Sequence, residues 1–127
     1  MSDSVVHFEL PADDLDRAQR FYRESFGWNL NPIPQMGYVM VSTTPTDEQG
    51  MPQEAGAING GMLSRQDPVT APVVTIGVES VDDALARVER NGGSVVRGKD
   101  PVGDMGFAAY FKDTEGNVVG LWESARG

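Results

Sequence analysis

His7 is the only histidine of the 127-residue chain, and the chain contains no cysteine. Any acid–base step or metal contact that needs an imidazole must therefore use His7, because imidazole is the side chain that ordinarily titrates near neutral pH. The absence of cysteine excludes disulfides, thiolate catalysis and thiolate metal sites. A Ser-His-Asp triad is not supported, since the one histidine lies in the first predicted strand and no nucleophile elbow is present.

Two carboxylates and one tryptophan are the other side chains that could do chemistry. Glu9 follows His7 by two residues, which places both on the same face of a strand; Glu9 either orients the imidazole ring or lies solvated at the rim. Glu123, near the end of the last predicted strand, has the parity of the opposite face when counted from Gly120. Trp122 shares the face of Gly120. An aromatic ring beside a glycine gap would accept a flat or apolar ligand, although Trp122 could equally fill the core.

The elements that position these residues follow a pattern that occurs twice. The segment VVHFEL alternates like a half-buried strand, and DLDRAQRFYRESFGW carries apolar residues at helical spacing. Strand-like stretches follow as far as GAINGGML. The second half repeats this order with the strand VVTIGVES and a helix that begins with a Ser80-x-x-Asp83 capping box. Each half therefore predicts strand–helix–strand–strand–strand.

The two halves also align with each other, which indicates a duplicated unit. We predict one α+β domain over residues 1–127, built of two tandem βαβββ modules at about 1–64 and about 72–127. The modules are expected to form a curved mixed sheet around a cavity, with the helices on the outer face. The alignment pairs His7 with Thr75, Gly37-Tyr38 with Gly106-Phe107, and Asn59 with Gly120.

Each predicted strand offers one apolar register and one mixed register, because side chains alternate between the two faces of a strand. The apolar register should lie beneath the helices, where Phe21, Tyr22 and Phe26 are assigned to the core. The mixed register is too apolar for a solvated face and too polar for a core, which favours a concave site for a small ligand. The residues expected to line this site are His7, Tyr38, Met40, Asn59, Thr75, Gly120 and Trp122, with Met62 and Phe107 as further lining residues.

The charge balance excludes several classes of partner. The formal net charge is −9, and the ten Lys and Arg residues form no patch. Such a surface repels nucleic acid and anionic lipid, so neither is expected as a partner.

The start of the chain, MSDSVVHFEL, has no basic segment followed by an apolar one, and the longest apolar run is far too short to span a bilayer. A cytoplasmic location is the default expectation.

The whole pattern resembles the vicinal oxygen chelate superfamily, whose members include glyoxalase I, bleomycin-resistance proteins and extradiol dioxygenases. The resemblance rests on the two strand–helix–three-strand modules, on HFELPADDLDRAQRFYRESFGW near the start and on DTEGNVVGLWES near the end. It covers nearly the whole chain. It implies the fold given above, whereas one fold hosts many functions.

The resemblance also identifies the positions at which metal-dependent members hold a divalent ion. Those members use His, Glu or Gln side chains, and the matching positions here are His7, Asn59, Thr75 and Gly120. Only His7 is a good ligand, whereas a first-row divalent ion needs about three imidazole or carboxylate donors. We therefore expect no metal and no other cofactor. If a metal is present, it should be a divalent ion near His7.

Three functions involving a ligand or a reaction remain open from the sequence, beside a purely structural role. The first is a glyoxalase- or bleomycin-resistance-like protein that binds a small, partly aromatic molecule in a metal-free cavity. The second is a metal-dependent lyase, isomerase or dioxygenase of the glyoxalase I type, with His7, Asn59 and a carboxylate such as Glu9 or Glu123 as ligands. The third is metal-independent proton transfer by His7, which is the only catalytic candidate. Unpaired sheet edges and the resemblance together predict a homodimer.

Overall fold

The computed structural model describes residues 2–48 and 51–125. Their elements follow the predicted order, strand–helix–three strands, twice. The elements are β1 (Val5–Ala12), α1 (Leu15–Phe26), β2 (Asn29–Ile33), a 3-10 turn (Pro34–Met36), β3 (Tyr38–Ser42), β4 (Gly60–Ser64), β5 (Val73–Gly77), α2 (Val81–Arg90), β6 (Ser94–Val102), β7 (Gly106–Lys112) and β8 (Val118–Ser124). The strands of the first module are hydrogen-bonded in the order β2-β3-β4-β1, and those of the second in the order β5-β8-β7-β6. The β1/β4 and β5/β8 pairs are parallel, whereas β2/β3, β3/β4, β6/β7 and β7/β8 are antiparallel. This confirms an α+β fold of two βαβββ modules with mixed strand pairing.

The chain divides into two compact units. The first unit is His7–Pro72, and the second unit combines Met1–Val6 with Val73–Gly127. The residues just before β1 therefore belong with β5, and the backbone N–H of Gly77 donates to the carbonyl of Ser4. In the described part of the chain, neither helix is long and apolar enough to cross a membrane.

In the first unit, α1 covers one face of β1–β4. Asp14 caps the helix by accepting the Arg17 N–H, and Gly27, with φ of 72°, ends it in the left-handed conformation. Leu15, Ala18 and Tyr22 pack against the sheet. The buried sheet residues beneath the helix are Ala12, Leu30, Val39, Val41 and Met62.

Three sequence assignments in this unit are wrong. Met62 is fully buried beneath α1 and therefore does not line the opposite face. Phe21 and Phe26 are 56% and 64% exposed and do not belong to the core. Phe21 neighbours Tyr22 along the helix, so it points about 100° away from the face that Tyr22 buries. Phe26 is the last residue of the helix, and its ring contacts those of Phe21, Tyr22 and Trp28.

In the second unit, α2 packs on β6–β8. Ser80 accepts the Asp83 N–H as the capping box predicts. The buried core is Val81, Ala84, Leu85, Ala109, Phe111 and Leu121.

The alignment of the third strands is wrong by one residue. The alignment that pairs Asn59 with Gly120 also pairs Gly61 with Trp122. Gly61 is the strand partner of Met40, and Trp122 is the strand partner of Ala108, so Met40 corresponds to Ala108. Tyr38 therefore corresponds to Gly106 rather than to Phe107. Phe107 lies on the helix side, where the Lys99 ammonium is 4.3 Å from its ring centroid. The two glycine–aromatic pairs in sequence, Gly37-Tyr38 and Gly106-Phe107, look alike although their side chains occupy opposite faces.

Candidate functional site

The face of the first unit opposite α1 carries the sequence-predicted residues His7, Tyr38 and Met40, together with Glu9. Glu9 and Met40 both pair with Gly61, and Tyr38 lies two residues from Met40 on the same strand face. Their neighbours in sequence pack against α1. The alternation of side chains therefore gave the correct face for these residues.

His7, Tyr38 and Glu9 form a chain of hydrogen bonds on this face. The Tyr38 hydroxyl donates to Oε2 of Glu9 over 2.9 Å, and it also lies 2.9 Å from Nε2 of His7. Which of these two groups donates to the other depends on the tautomer of the His7 ring. Glu9 is only 8% exposed. Burial lowers the pKa of His7 below its ordinary value of 6.5, while the charge of Glu9 opposes that change.

Gly61 makes room for the Tyr38 ring. A Cβ at position 61 would overlap the ring and hydroxyl of Tyr38. The chain of hydrogen bonds therefore depends on a glycine in the neighbouring strand. The Asn59-Gly60-Gly61 sequence predicts such a close approach, but it does not identify Tyr38 as the group that approaches.

Asn59 is engaged in structure rather than exposed as a ligand. Its Oδ1 accepts the backbone N–H of Thr43 at 2.8 Å and that of Thr44 at 3.3 Å, and it lies 3.2 Å from the Thr43 hydroxyl. Its Nδ2 is buried without a hydrogen-bond partner among the described residues. Asn59 therefore anchors the loop that follows β3.

Thr75 and Gly120 are direct partners in the second unit. A Cβ at position 120 would lie 2.7 Å from the Thr75 hydroxyl, and Thr75 is only 7% exposed. The glycine in the last strand is thus required by the threonine beside it. The gap that the sequence predicts next to Trp122 is occupied by this hydroxyl.

Trp122 lies on the same strand face as Gly120 and is half-buried. Its ring approaches Gly106 of β7, where a Cβ would lie 2.8 Å from the indole. Tyr110 pairs with Gly120, and the Arg97 guanidinium carbon is 5.9 Å from the Tyr110 ring centroid. Sequence reasoning missed Tyr110 and Arg97. The strand alternation of β7 was the signal that could have found Tyr110.

Glu123 does not belong to this face. Its Oε1 accepts the backbone N–H of Val81 at 2.9 Å, and its Oε2 lies 3.7 Å from the Lys99 ammonium. Glu123 therefore accepts an N–H of the first turn of α2, on the face that its parity predicts. The alternative role of Glu123 as a metal ligand beside Gly120 is wrong.

A cavity of about 380 Å³ lies elsewhere in the second unit, between α2 and the sheet. Its walls are mostly apolar, and Asp3, Arg87 and Asn91 stand at its polar part. None of the sequence-predicted site residues lines it. It is therefore distinct from the mixed face that carries Thr75 and Trp122.

The donor set implied by the resemblance does not fit a divalent ion. Asn59 already uses its oxygen on backbone N–H groups, Gly120 has no side chain, and Thr75 offers only a hydroxyl. Imidazole or carboxylate donors are the ligands that such ions require. Among residues 2–48 and 51–125, no group of three or more His, Asp or Glu side chains is arranged to hold a metal.

Sequence comparison relates this chain to bleomycin-resistance-like and glyoxylase-like proteins. Residues 4–44 match the family described as "Bleomycin resistance protein-like N-terminal". A "Glyoxylase-like domain-containing protein" of Didymella fabae is 30% identical over 122 residues, covering 90% of this chain and 88% of that protein. The "Putative glyoxylase CFP32" of Mycobacterium bovis is 31% identical over 93% of this chain, which spans only 44% of the length of that relative.

Solved structures share the fold at low identity. A Bacillus halodurans protein, BH1468, superposes with a TM-score of 0.67 at 16% identity, covering 98% of this chain and 96% of that one. A Streptomyces coelicolor methylmalonyl-CoA epimerase superposes with a TM-score of 0.66 at 20% identity, covering 95% and 96%. The duplicated βαβββ modules, their strand registers and the glyoxylase-like relatives together show that the chain belongs to the glyoxalase-like family of the vicinal oxygen chelate superfamily.

Proposed function

We propose that this chain binds a small, partly aromatic molecule without a metal, on the sheet faces opposite the helices. One observation carries the proposal. In each unit, a half-buried aromatic side chain lies over a glycine of the neighbouring strand on that face, Tyr38 over Gly61 and Trp122 over Gly106. Aromatic surface with a few polar groups is the composition of small-molecule sites.

The polar groups on these faces suit an organic ligand. His7 lies beside Tyr38, and Thr75 lies beside Gly120. Arg97 adds a cation near the aromatic surface of the second unit. Imidazole, hydroxyl and guanidinium groups orient a small molecule by hydrogen bonds, while the rings supply stacking area.

Fluorescence of two single-tryptophan variants tests the proposal. Trp28 stacks on Tyr22 on the helix side of the first unit, with ring centroids 4.8 Å apart, so it serves as a matched control. In the Trp28→Phe variant, only Trp122 emits, and a panel of small aromatic molecules should include one that changes this emission saturably. The same molecule should leave the emission of Trp28 in the Trp122→Phe variant unchanged. A null result across the panel, or equal responses in both variants, contradicts the proposal.

Elemental analysis of the purified protein tests the metal-free part of the proposal. The relatives named lactoylglutathione lyase, such as that of Haemophilus influenzae at 24% identity, are the reason to test it. We expect no stoichiometric nickel, zinc, manganese or iron, because the Asn59 oxygen is used by backbone N–H groups and Gly120 supplies no side chain. A stoichiometric metal that is lost in a His7→Ala variant would overturn this part.

We also propose that the protein forms a homodimer. β2 is an edge strand of the first unit and β6 is an edge strand of the second, and unpaired edges favour association unless they are covered or blunted.

A further inference from the structure

We infer that His7 is a metal-independent general base that Tyr38 and Glu9 hold in one tautomer. The inference goes beyond binding, because it assigns a proton-transfer step to the first unit. His7 is the base that a ligand on this face would meet. Tyr38 and Glu9 are positioning residues, since they act on the ligand only through His7.

The hydrogen bonds fix where the imidazole proton lies. The Tyr38 O–H is the donor and Oε2 of Glu9 the acceptor across the 2.9 Å contact. The Tyr38 oxygen is then the acceptor for His7, which places the ring proton on Nε2. Nδ1 consequently carries the free lone pair, and it has no hydrogen-bond partner among the described residues. A base with its lone pair on a defined nitrogen is what general-base catalysis needs.

The surroundings of His7 suit the neutral imidazole before proton transfer and the imidazolium after it. Burial lowers the pKa of His7, which favours the unprotonated, basic form of the ring. The buried carboxylate of Glu9 then stabilises the imidazolium that forms, through the Tyr38 hydroxyl. A carboxylate that orients an imidazole without taking its proton plays this role in hydrolases.

The step balances without a co-reactant. An O–H or acidic C–H bond of a bound molecule or water breaks, its proton forms a bond with Nδ1, and the electron pair stays on the oxygen or carbon. His7 becomes an imidazolium, and the hydrogen bond from Tyr38 to Glu9 is retained. Return of the proton from Nδ1 to the product restores the starting state.

Magnetic resonance of the imidazole tests the tautomer directly, because His7 gives the only histidine signals in the protein. With the ring nitrogens isotopically labelled, native protein should show Nε2 protonated and Nδ1 unprotonated. The Tyr38→Phe variant should show a mixture of tautomers, since the acceptor is gone. The Glu9→Gln variant should keep the native tautomer, because the amide oxygen still accepts from Tyr38. The Tyr22→Phe variant is the control, as it removes a hydroxyl on the helix side and should leave the signals unchanged.

Hydrolysis of para-nitrophenyl acetate tests the base, with water as the proton donor. We expect His7→Gln to lower the rate roughly 100-fold, and Tyr38→Phe to lower it roughly tenfold because the proton is no longer held on Nε2. Glu9→Gln should also slow the reaction while keeping the tautomer, and Tyr22→Phe should retain the native rate. A native protein that carries the proton on Nδ1, or that is no faster than His7→Gln, overturns the inference. Neither readout uses Trp122 fluorescence, so failure here is distinguishable from failure of the binding proposal.

Discussion

At the scale of single residues, Tyr38 is the side chain that connects the polar groups of the first unit. Its hydroxyl joins a buried carboxylate to the only imidazole, and each of the two hydrogen bonds is 2.9 Å long. The ring can lie there only because position 61 has no Cβ. A glycine of β4 thus controls a polar network that joins β3 to β1 across it.

Gly61→Ala should disrupt this network. The added methyl would overlap the Tyr38 ring, so the ring must move away from His7 and Glu9. We expect a loss of about 1–3 kcal/mol in the free energy of unfolding, as for other overpacked sites. Gly98→Ala is the matched control, because a Cβ there meets nothing within 4 Å. Urea denaturation of both variants measures the difference, and equal stability of the two would contradict this account of Tyr38.

The buried imidazole also predicts how stability depends on pH. Because burial lowers the pKa of His7 in the folded state, the unfolded chain binds the proton more readily at pH values just below 6.5. The stabilising contribution is complete above pH 6.5 and decreases as the pH falls towards the lower pKa of the folded state.

Denaturation of the native protein and of His7→Gln across this interval measures the effect. The difference in unfolding free energy between the two should shrink on acidification. Asp113 does not interfere, because its pKa is lowered from 3.8, chiefly by the Asn117 side chain, and its contribution is lost only at more acidic pH. A difference that stays constant through pH 6.5 would contradict the prediction.

At the scale of elements, the start of α2 is held by two separate oxygens. Ser80 accepts the Asp83 N–H at 3.1 Å, and Glu123 of β8 accepts the Val81 N–H at 2.9 Å. The first turn of a helix has N–H groups without partners inside the helix, and a negative charge there is favourable. Glu123 therefore ties the last strand to the helix above it.

Glu123→Ala should destabilise the protein by about 1–3 kcal/mol, because the N–H of the fully buried Val81 loses its acceptor. Glu123→Gln is the conservative variant, and its amide oxygen retains the hydrogen bond while removing the charge next to Lys99. Thermal unfolding should rank native, Gln and Ala variants in that order. An Ala variant as stable as the native protein would show that the contact contributes nothing.

At the scale of the whole molecule, charge governs how copies of the chain meet. Two copies with a formal net charge of −9 repel each other, and salt screens that repulsion. The proposed homodimer should therefore become tighter as salt is added. Sedimentation velocity over a range of protein and salt concentrations measures the association. A strict monomer under all these conditions would overturn the homodimer.

The sequence alone determined the order of the elements, the duplication and the face on which most site residues lie. It placed His7, Tyr38 and Met40 on one face and assigned Glu123 to the other, because strand alternation is a local property of the backbone. It failed for Phe21, which points away from the face of the helix that Tyr22 buries, and for Phe26, the last residue of that helix, both of which are exposed.

Only the tertiary structure decided which groups touch. The Tyr38 hydroxyl reaches His7 and Glu9, the Asn59 oxygen is used by Thr43 and Thr44, and the Thr75 hydroxyl occupies the space beside Gly120. These contacts join residues far apart in the sequence. They depend on the register between strands, which is set by long-range pairing. An error of one residue in that register moves each side chain to the other face of the sheet.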